Sequence, residues 1–218
     1  MKNLFLSKLE SNWMTVKDKR ILHKGLHLAI TSKDIVHGIE HVMTLRDSYL
    51  AFKKAHSSRI KLDERVMAQA IVFHDVWKTQ ARRSEYFLKV LFEEYFEGSR
   101  SADIYRRYAY NFNIDRNVIE NVSYAITKHS TGTLFPRRTN EAKLLFDLDE
   151  LEFFNIERFK KGFNNFKFGV DRKLAAAVTY LKLRSKRGFY FDWSHAMFEN
   201  RKKRFLEGLD KLRAEISI

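Results

Sequence analysis

The sequence predicts an all-α protein whose 218 residues form a single compact helical bundle domain. Glycine and proline, the residues that most often interrupt helices, occur only 8 times and once. Apolar residues recur every three to four positions along most of the chain, which is the period of an amphipathic helix. Hydrophobic residues make up 44% of the sequence, which indicates a folded protein with one sizeable core.

The charge and the cysteine content limit the classes of function. The chain carries 41 Lys and Arg against 27 Asp and Glu, a formal net charge of +14. This excess favours a polyanionic partner such as a nucleotide, a nucleic acid or an anionic membrane, although a basic face that meets only solvent gives the same balance. Cysteine is absent, which excludes disulfides and thiolate metal sites, so any metal must be bound by histidines and carboxylates.

The N-terminal segment and the apolar runs of the chain do not suggest secretion or a membrane span. The apolar part of the N-terminal segment is too short for a signal peptide, and no apolar run approaches the ~20 residues of a membrane span. The sequence therefore predicts a cytoplasmic protein without a transmembrane segment.

The first two predicted helices each contain a histidine pair. Residues 4–30 predict one helix, with or without a break, and residues 34–55 predict the next one after a turn. Histidines four positions apart lie on one helix face, as a metal pair needs, but two polar positions of a solvated face have the same spacing. The pairs are His23 with His27, and His37 with His41.

A third helix is predicted to open at 62–65 and to carry an apolar run that ends at His74 and Asp75. Imidazole suits first-row transition metals and carboxylate suits harder ions, so adjacent His and Asp could grip one ion if other elements complete its coordination. Basic residues follow the pair closely: Lys78, Arg82 and Arg83.

The middle of the chain predicts three more helices and one loop, at 83–98, 99–112, 115–129 and 130–138. The Tyr- and Arg-rich stretch 105–110 could stack bases and neutralise phosphates, or it could be a packed aromatic helix with a basic outer face. His129 closes the apolar face of the helix that Asp115 caps, and Arg137 lies in the loop that follows.

Asp147 follows an apolar run within a predicted helix at 142–151, as His74 and Asp75 follow theirs. The remaining predicted helices are 154–168, 170–191 and 194–215. Neither a linker nor a repeat divides the chain. One domain over residues 1–218 is therefore the simplest interpretation, with a site-bearing core at about 34–155 and C-terminal helices at 156–218 packed on it.

The order of these residues resembles the HD superfamily of metal-dependent phosphohydrolases, and in particular a branch of small predicted HD hydrolases. The similarity spans about residues 35–151, half of the chain. The matching segments are His37-x-x-x-His41-Val42, Phe73-His74-Asp75-Val76-Trp77-Lys78, Ala125-Ile126-Thr127-Lys128-His129 and Asp147-Leu148-Asp149-Glu150-Leu151.

The resemblance implies an all-helical fold, a metal ion and a phosphohydrolase reaction on a nucleotide or related phosphate ester. The implied metal ligands are His41, His74, Asp75 and Asp147. The ion would be a divalent metal such as Mn, Mg, Fe, Co, Ni or Zn. The implied catalytic residues are Asp75, which would orient or activate the attacking water, Lys78, which would contact the phosphate, and His129, which would bind the phosphate or a second metal.

Positively charged residues near the predicted site are expected to bind the substrate. Cationic side chains near the site would neutralise the charge that grows on the phosphate. The residues expected to do so are Lys78, Arg82, Arg83, Lys128 and Arg137. His37 is expected to support the ligands rather than to bind the metal.

Two departures from the superfamily pattern matter. Trp77 stands where many members have a small residue, which would narrow the pocket. The stretch 82–85 replaces an acidic or histidine-rich segment, and its Glu85 is a weak candidate for supporting the metal ligands. This argues against a fully occupied two-metal centre.

The alternative function is an HD fold without catalytic activity that binds nucleotides or nucleic acid through its basic surface.

Overall fold

The computed structural model describes residues 2–9, 13–32, 34, 36–56, 59–80, 87–130, 136–163 and 169–216. Within these ranges all regular structure is helical, so the predicted all-α class is confirmed. None of the described helices is long and apolar enough to cross a membrane. The helices are α1 (Lys2–Lys8), α2 (Val16–Ile30), α3 (Ile39–His56), α4 (Glu64–Phe73), α5 (Val76–Gln80), α6 (Phe87–Asn111), α7 (Arg116–Lys128), α8 (Asn140–Phe153), α9 (Ile156–Phe163), α10 (Val170–Arg187) and α11 (Asp192–Ile216).

The helices belong to two compact units, Met1–Phe146 and Asp147–Ile218, and the division falls inside α8. The predicted division between the site-bearing core and the C-terminal helices, at 155/156, lies close to it. That the whole chain forms one domain stays a prediction.

Helix α4 is the centre of the first unit. Its apolar run from Val66 to Phe73 is buried, and α2, α3, α6 and α7 pack against it. Burying a large aliphatic or aromatic side chain contributes roughly 1.5–3 kcal/mol, so this run anchors the unit. The same run places His74 directly at the end of the most buried helix.

A polar network fixes α2, α4 and α6 relative to one another. Asp18 Oδ1 accepts hydrogen bonds from Arg65 Nε at 2.6 Å and from Gln69 Nε2 at 3.0 Å. Gln69 Oε1 in turn accepts a hydrogen bond from the Tyr105 hydroxyl at 2.7 Å. Asp18 also forms a capping box with Thr15, and α2 therefore starts at Val16 as a separate helix after α1.

The predicted start of the second helix, at residue 34, is wrong. Helix α3 begins at Ile39, and the segment before it is a turn held by Asp34. The Asp34 carboxylate accepts the backbone N–H groups of Val36 and His37, a local arrangement that competes with helix formation. His37 consequently precedes the helix that carries His41.

Two further expectations about helix ends need correction. Helix α4 ends at Phe73, so His74 and Asp75 lie in the turn between α4 and α5 and not within a helix. Asp115 takes the N-cap position of α7 as predicted, but its side chain makes no capping hydrogen bond. The Asp115 carboxylate instead pairs with Arg65 at 2.5 Å.

Helix α6 runs unbroken through Gly98, where the sequence predicts one helix to end and another to begin. Gly98 is needed for helix packing and does not end a helix. A Cβ atom at Gly98 would lie 2.8 Å from the Thr127 carbonyl oxygen and 2.9 Å from that of Ile126. Gly98 therefore permits the backbones of α6 and α7 to approach closely.

The second unit has an aromatic core of its own. Phe154, Phe198 and Phe205 are buried among α9, α10 and α11. The ring centroids of Phe198 and Phe205 lie 5.0 and 5.6 Å from that of Phe154, in edge-to-face arrangements. Helix α10 ends before Gly188, whose φ of +68° favours glycine, so this helix is shorter than the predicted 170–191.

We expect Gly98→Ala to destabilise the protein by about 1–3 kcal/mol, because α6 and α7 must move apart to admit the methyl group. This cost exceeds the ~1 kcal/mol that alanine gains over glycine in a helix. Urea unfolding followed by circular dichroism measures the change. Gly169→Ala is the matched control, since nothing lies within 4 Å of a Cβ at that position. Equal stability of the two variants would contradict the role assigned to Gly98.

Candidate metal centre

The candidate centre is built from the turn between α4 and α5 and from the first turn of α3. His74 is the C-cap residue of α4, and its backbone N–H still bonds to the Ala70 carbonyl. Asp75 follows it, and His41 reaches the same place from α3. All three are buried: His74 is fully enclosed, while Asp75 and His41 expose only 3% and 4% of their surface.

The three predicted ligands converge on one point. His41 Nε2 lies 3.0 Å from His74 Nε2 and 3.5 Å from Asp75 Oδ2, and His74 Nε2 lies 3.2 Å from Asp75 Oδ2. Ligand atoms about 2.1 Å from a shared ion are roughly 3.0–3.4 Å apart in octahedral or tetrahedral geometry. The observed separations therefore suit three donors around one divalent ion.

A hydrogen bond selects the ligating nitrogen of His74. Its Nδ1 lies 2.9 Å from the Ile71 carbonyl oxygen. A carbonyl can only accept, so Nδ1 carries the proton, and in the neutral ring the lone pair is on Nε2, which points toward His41 and Asp75. Such a bond on the second nitrogen is typical of histidines that bind metals.

Asp75 is the electrostatic focus of the centre. Burial by itself would raise the pKa of this carboxyl group, but His74, Lys78 and His37 hold the pKa well below its usual range. Neither carboxylate oxygen has a hydrogen bond of good geometry among the described residues, although His129 Nε2 lies 3.6 Å from Oδ1 and lowers the pKa further. An ionised, buried carboxylate without hydrogen bonds is costly unless cations compensate it, and this requirement fits a bound metal.

A second group of ligand-type side chains shares Asp75. His129 Nε2 lies 3.0 Å from Glu97 Oε1 and 3.6 Å from Asp75 Oδ1. Lys78 Nζ lies 2.7 Å from Glu97 Oε2 and 3.6 Å from Asp75 Oδ1. The carboxylates and His129 form a second set of donors close enough together to hold an ion.

The protonation of His129 is set by its neighbours. Its Nδ1 lies 2.6 Å from the Ile126 carbonyl and carries a proton, so Nε2 faces the two carboxylates. Burial lowers the pKa of His129, but the charges and hydrogen-bonding capacity of Glu97 and Asp75 prevail and hold that pKa well above 6.5. The two carboxylates therefore favour the imidazolium form of His129.

His37 supports the site from the turn before α3. Its Nδ1 donates to Asp34 Oδ2 at 2.9 Å, and its Nε2 lies 3.5 Å from Lys78 Nζ. Burial would raise the pKa of Asp34, but the hydrogen bond and the charge of His37 lower it well below the ordinary value. The Asp34 carboxylate thus fixes the His37 ring beside Lys78.

Asp147, the fourth predicted ligand, is engaged within the second unit. Its carboxylate accepts the backbone N–H groups of Tyr190, at 3.0 and 3.1 Å, and of Phe191, at 3.1 Å. Burial outweighs these bonds and raises the pKa of Asp147 to about 7. The role of Asp147 as a metal ligand stays a prediction.

The residues predicted to contact substrate are distributed more widely. Lys78 belongs to the centre. Arg137 donates to the Ser130 carbonyl at 2.8 Å, with its guanidinium 3.6 Å from the centre of the Phe146 ring. Lys128 lines a surface pocket with Tyr124, Pro136 and Arg138. Arg82, Arg83 and Glu85 lie outside the described residues, and His23 and His27 belong to neither group of donors.

Sequence reasoning missed Glu97. This side chain is 1% exposed and touches two of the predicted catalytic residues. A signal was available, because Glu97 lies four and eight positions before Ser101 and Tyr105, on the buried face of α6. Predicting a helix end at Gly98 interrupted that periodicity and hid the acidic residue.

Comparison of the chain with models of known protein families, with curated proteins and with solved structures gave no match. The grounds for a function are therefore the residues, their order along the chain and their geometry.

We expect the free energy of unfolding of the metal-free protein to fall as the pH rises above about 6.5, the ordinary pKa of histidine. The folded state binds the His129 proton more tightly than the unfolded state does, so this stabilisation is complete below that pH. It is lost as the pH passes the raised pKa. Urea unfolding in EDTA, from about pH 6 to about pH 9, measures the slope.

His129→Asn should remove this part of the pH dependence. His195→Asn, which replaces an exposed histidine of α11, should retain it. A wild-type slope that persists unchanged in His129→Asn would contradict the assignment.

Proposed function

We propose that the protein is a metal-dependent phosphohydrolase of the HD type. It would cleave a phosphoester or phosphoanhydride bond of a small phosphorylated substrate such as a nucleotide. The observation that carries the proposal is the convergence of His41 Nε2, His74 Nε2 and Asp75 Oδ2 to within 3.0–3.5 Å of one another at a buried point. These are three of the four ligands that the sequence order implies.

The donor set fits a divalent ion, which would add to the positive charge that Lys78 and His129 already place beside the buried Asp75 carboxylate. Imidazole and carboxylate donors accept Mn, Mg, Fe, Co, Ni or Zn. Such an ion would lower the pKa of a bound water and polarise a phosphoryl oxygen.

The chain's own residues account for the remaining parts of the chemistry. The Asp75 carboxylate would orient the attacking water and accept its proton. Lys78 and the His129 imidazolium would neutralise charge on the phosphate, since both are cations beside Asp75. Asp34 and His37 would hold Lys78 in place.

The resemblance implies Asp147 as the fourth ligand. Its carboxylate accepts the backbone N–H groups of Tyr190 and Phe191, so its role as a ligand stays a prediction.

The alternative, a nucleic-acid-binding HD fold without catalysis, has less support. Its sequence basis is the net charge of +14 and the aromatic stretch 105–110. Tyr105 is fully buried and donates its hydroxyl hydrogen to Gln69, so it is not available to stack on a base. Tyr108 packs under Lys24, which leaves Tyr110 as the exposed aromatic residue of that stretch.

The wild-type protein, incubated with Mn²⁺ or Mg²⁺, should release phosphate or a shortened nucleotide from a panel of nucleoside mono-, di- and triphosphates. Turnover should fall on the order of 10³-fold or more in His74→Ala and Asp75→Asn. Ion chromatography of the products measures the activity. His195→Ala, outside the centre, should retain full activity.

Turnover that survives in both His74→Ala and Asp75→Asn would refute the proposed site. Salt-sensitive oligonucleotide binding without any metal-dependent turnover would favour the alternative function.

A further inference from the structure

We propose that the Lys78 ammonium group occupies the position of a second metal ion, so that the centre binds one divalent ion and not two. This inference rests on the proposed metal centre and concerns the number of ions in it.

The two oxygens of Asp75 face two different groups of side chains. Oδ2 lies 3.5 Å from His41 Nε2 and 3.2 Å from His74 Nε2. Oδ1 lies 3.6 Å from both Lys78 Nζ and His129 Nε2. A carboxylate that presents one oxygen to each of two cation positions is the arrangement of a bridging ligand, and paired metal ions lie about 3.5–4 Å apart.

The second position has the donors that a metal needs. Asp75, Glu97 and His129 each offer one ligand atom, and these atoms lie within 4.8 Å of one another. His129 would become a donor by releasing its Nε2 proton. All three residues are buried. The Asp75 carboxylate is also without a hydrogen bond among the described residues, which points independently to a cation beside it.

A cation is already present beside these donors. Lys78 Nζ makes an ion pair of 2.7 Å with Glu97 Oε2, and the lysine side chain is only 14% exposed. The two carboxylates would repel each other in a buried place without compensation. Lys78 and protonated His129 provide the compensating charge as part of the chain. A metal ion could enter only by displacing the ammonium group.

The inferred arrangement gives the substrate phosphate a fixed positive charge that does not depend on metal supply. One side of the phosphate would meet the ion held by His41, His74 and Asp75, and the other would meet Lys78. Glu97 then acts as a positioning residue, because it binds the ammonium group directly.

The test counts metal ions. Metal-free protein is equilibrated with Mn²⁺, bound metal is measured by mass spectrometry after dialysis, and spin coupling is examined by electron paramagnetic resonance. The wild-type protein should bind one ion and give the signal of isolated Mn²⁺. Lys78→Ala should bind two ions and give an exchange-coupled signal, because Asp75, Glu97 and His129 then lack the ammonium group.

Three variants control this result. Lys78→Arg keeps the positive charge and should bind one ion. Lys78→Ala combined with Glu97→Gln removes a donor of the opened position and should return to one ion. Lys53→Ala removes a lysine that pairs with Glu64 on the surface and should behave as wild type.

The outcomes separate this inference from the function on which it rests. Two ions in the wild-type protein, or one ion in a folded Lys78→Ala variant, would overturn the role of Lys78 and leave the metal centre intact. No bound ion in any variant would refute the proposed metal centre itself, and the inference with it. If Lys78→Ala does not fold, the wild-type spectrum decides: isolated Mn²⁺ supports the inference and a coupled pair overturns it.

Discussion

The buried negative charge of Asp75 is the constraint on which the candidate centre depends. A carboxylate enclosed by protein is stable only if cations or hydrogen bonds replace the water it has lost. Here the described residues offer imidazole nitrogens and an ammonium group at 3.2–3.6 Å, but no hydrogen bond of good geometry to either oxygen. The neighbouring side chains are therefore arranged around a charge that the chain alone balances only in part.

The parts that could be predicted from the sequence are those fixed by local patterns. Helical periodicity and the scarcity of helix breakers indicate the all-α class, and most helices lie within a few residues of their expected positions. The convergence of His41, His74 and Asp75 was expected from their order along the chain. The order of residues, however, does not state which side-chain atoms meet.

The expectations that failed depend on contacts between elements distant in sequence. Gly98 resembles a helix terminator, but its function is to admit the backbone of α7, which is unknown until the two helices are packed. Tyr105 resembles part of a stacking surface and instead completes a buried polar network with Gln69. In both cases tertiary packing outweighed the local signal, as it often does for residues of ambiguous propensity.

The ends of α4 and α7 share one hydrogen-bond arrangement, and it has a consequence for metal uptake. His74 and His129 each donate through Nδ1 to the carbonyl three residues earlier, Ile71 and Ile126, at the last turn of the helix. In each case the imidazole bonds to a carbonyl of the last helical turn and fixes its own tautomer, and the Ile126 carbonyl also accepts the His129 backbone N–H. The coordinating face of His74 is consequently set during folding, before an ion arrives, and metal entry requires no ring rotation.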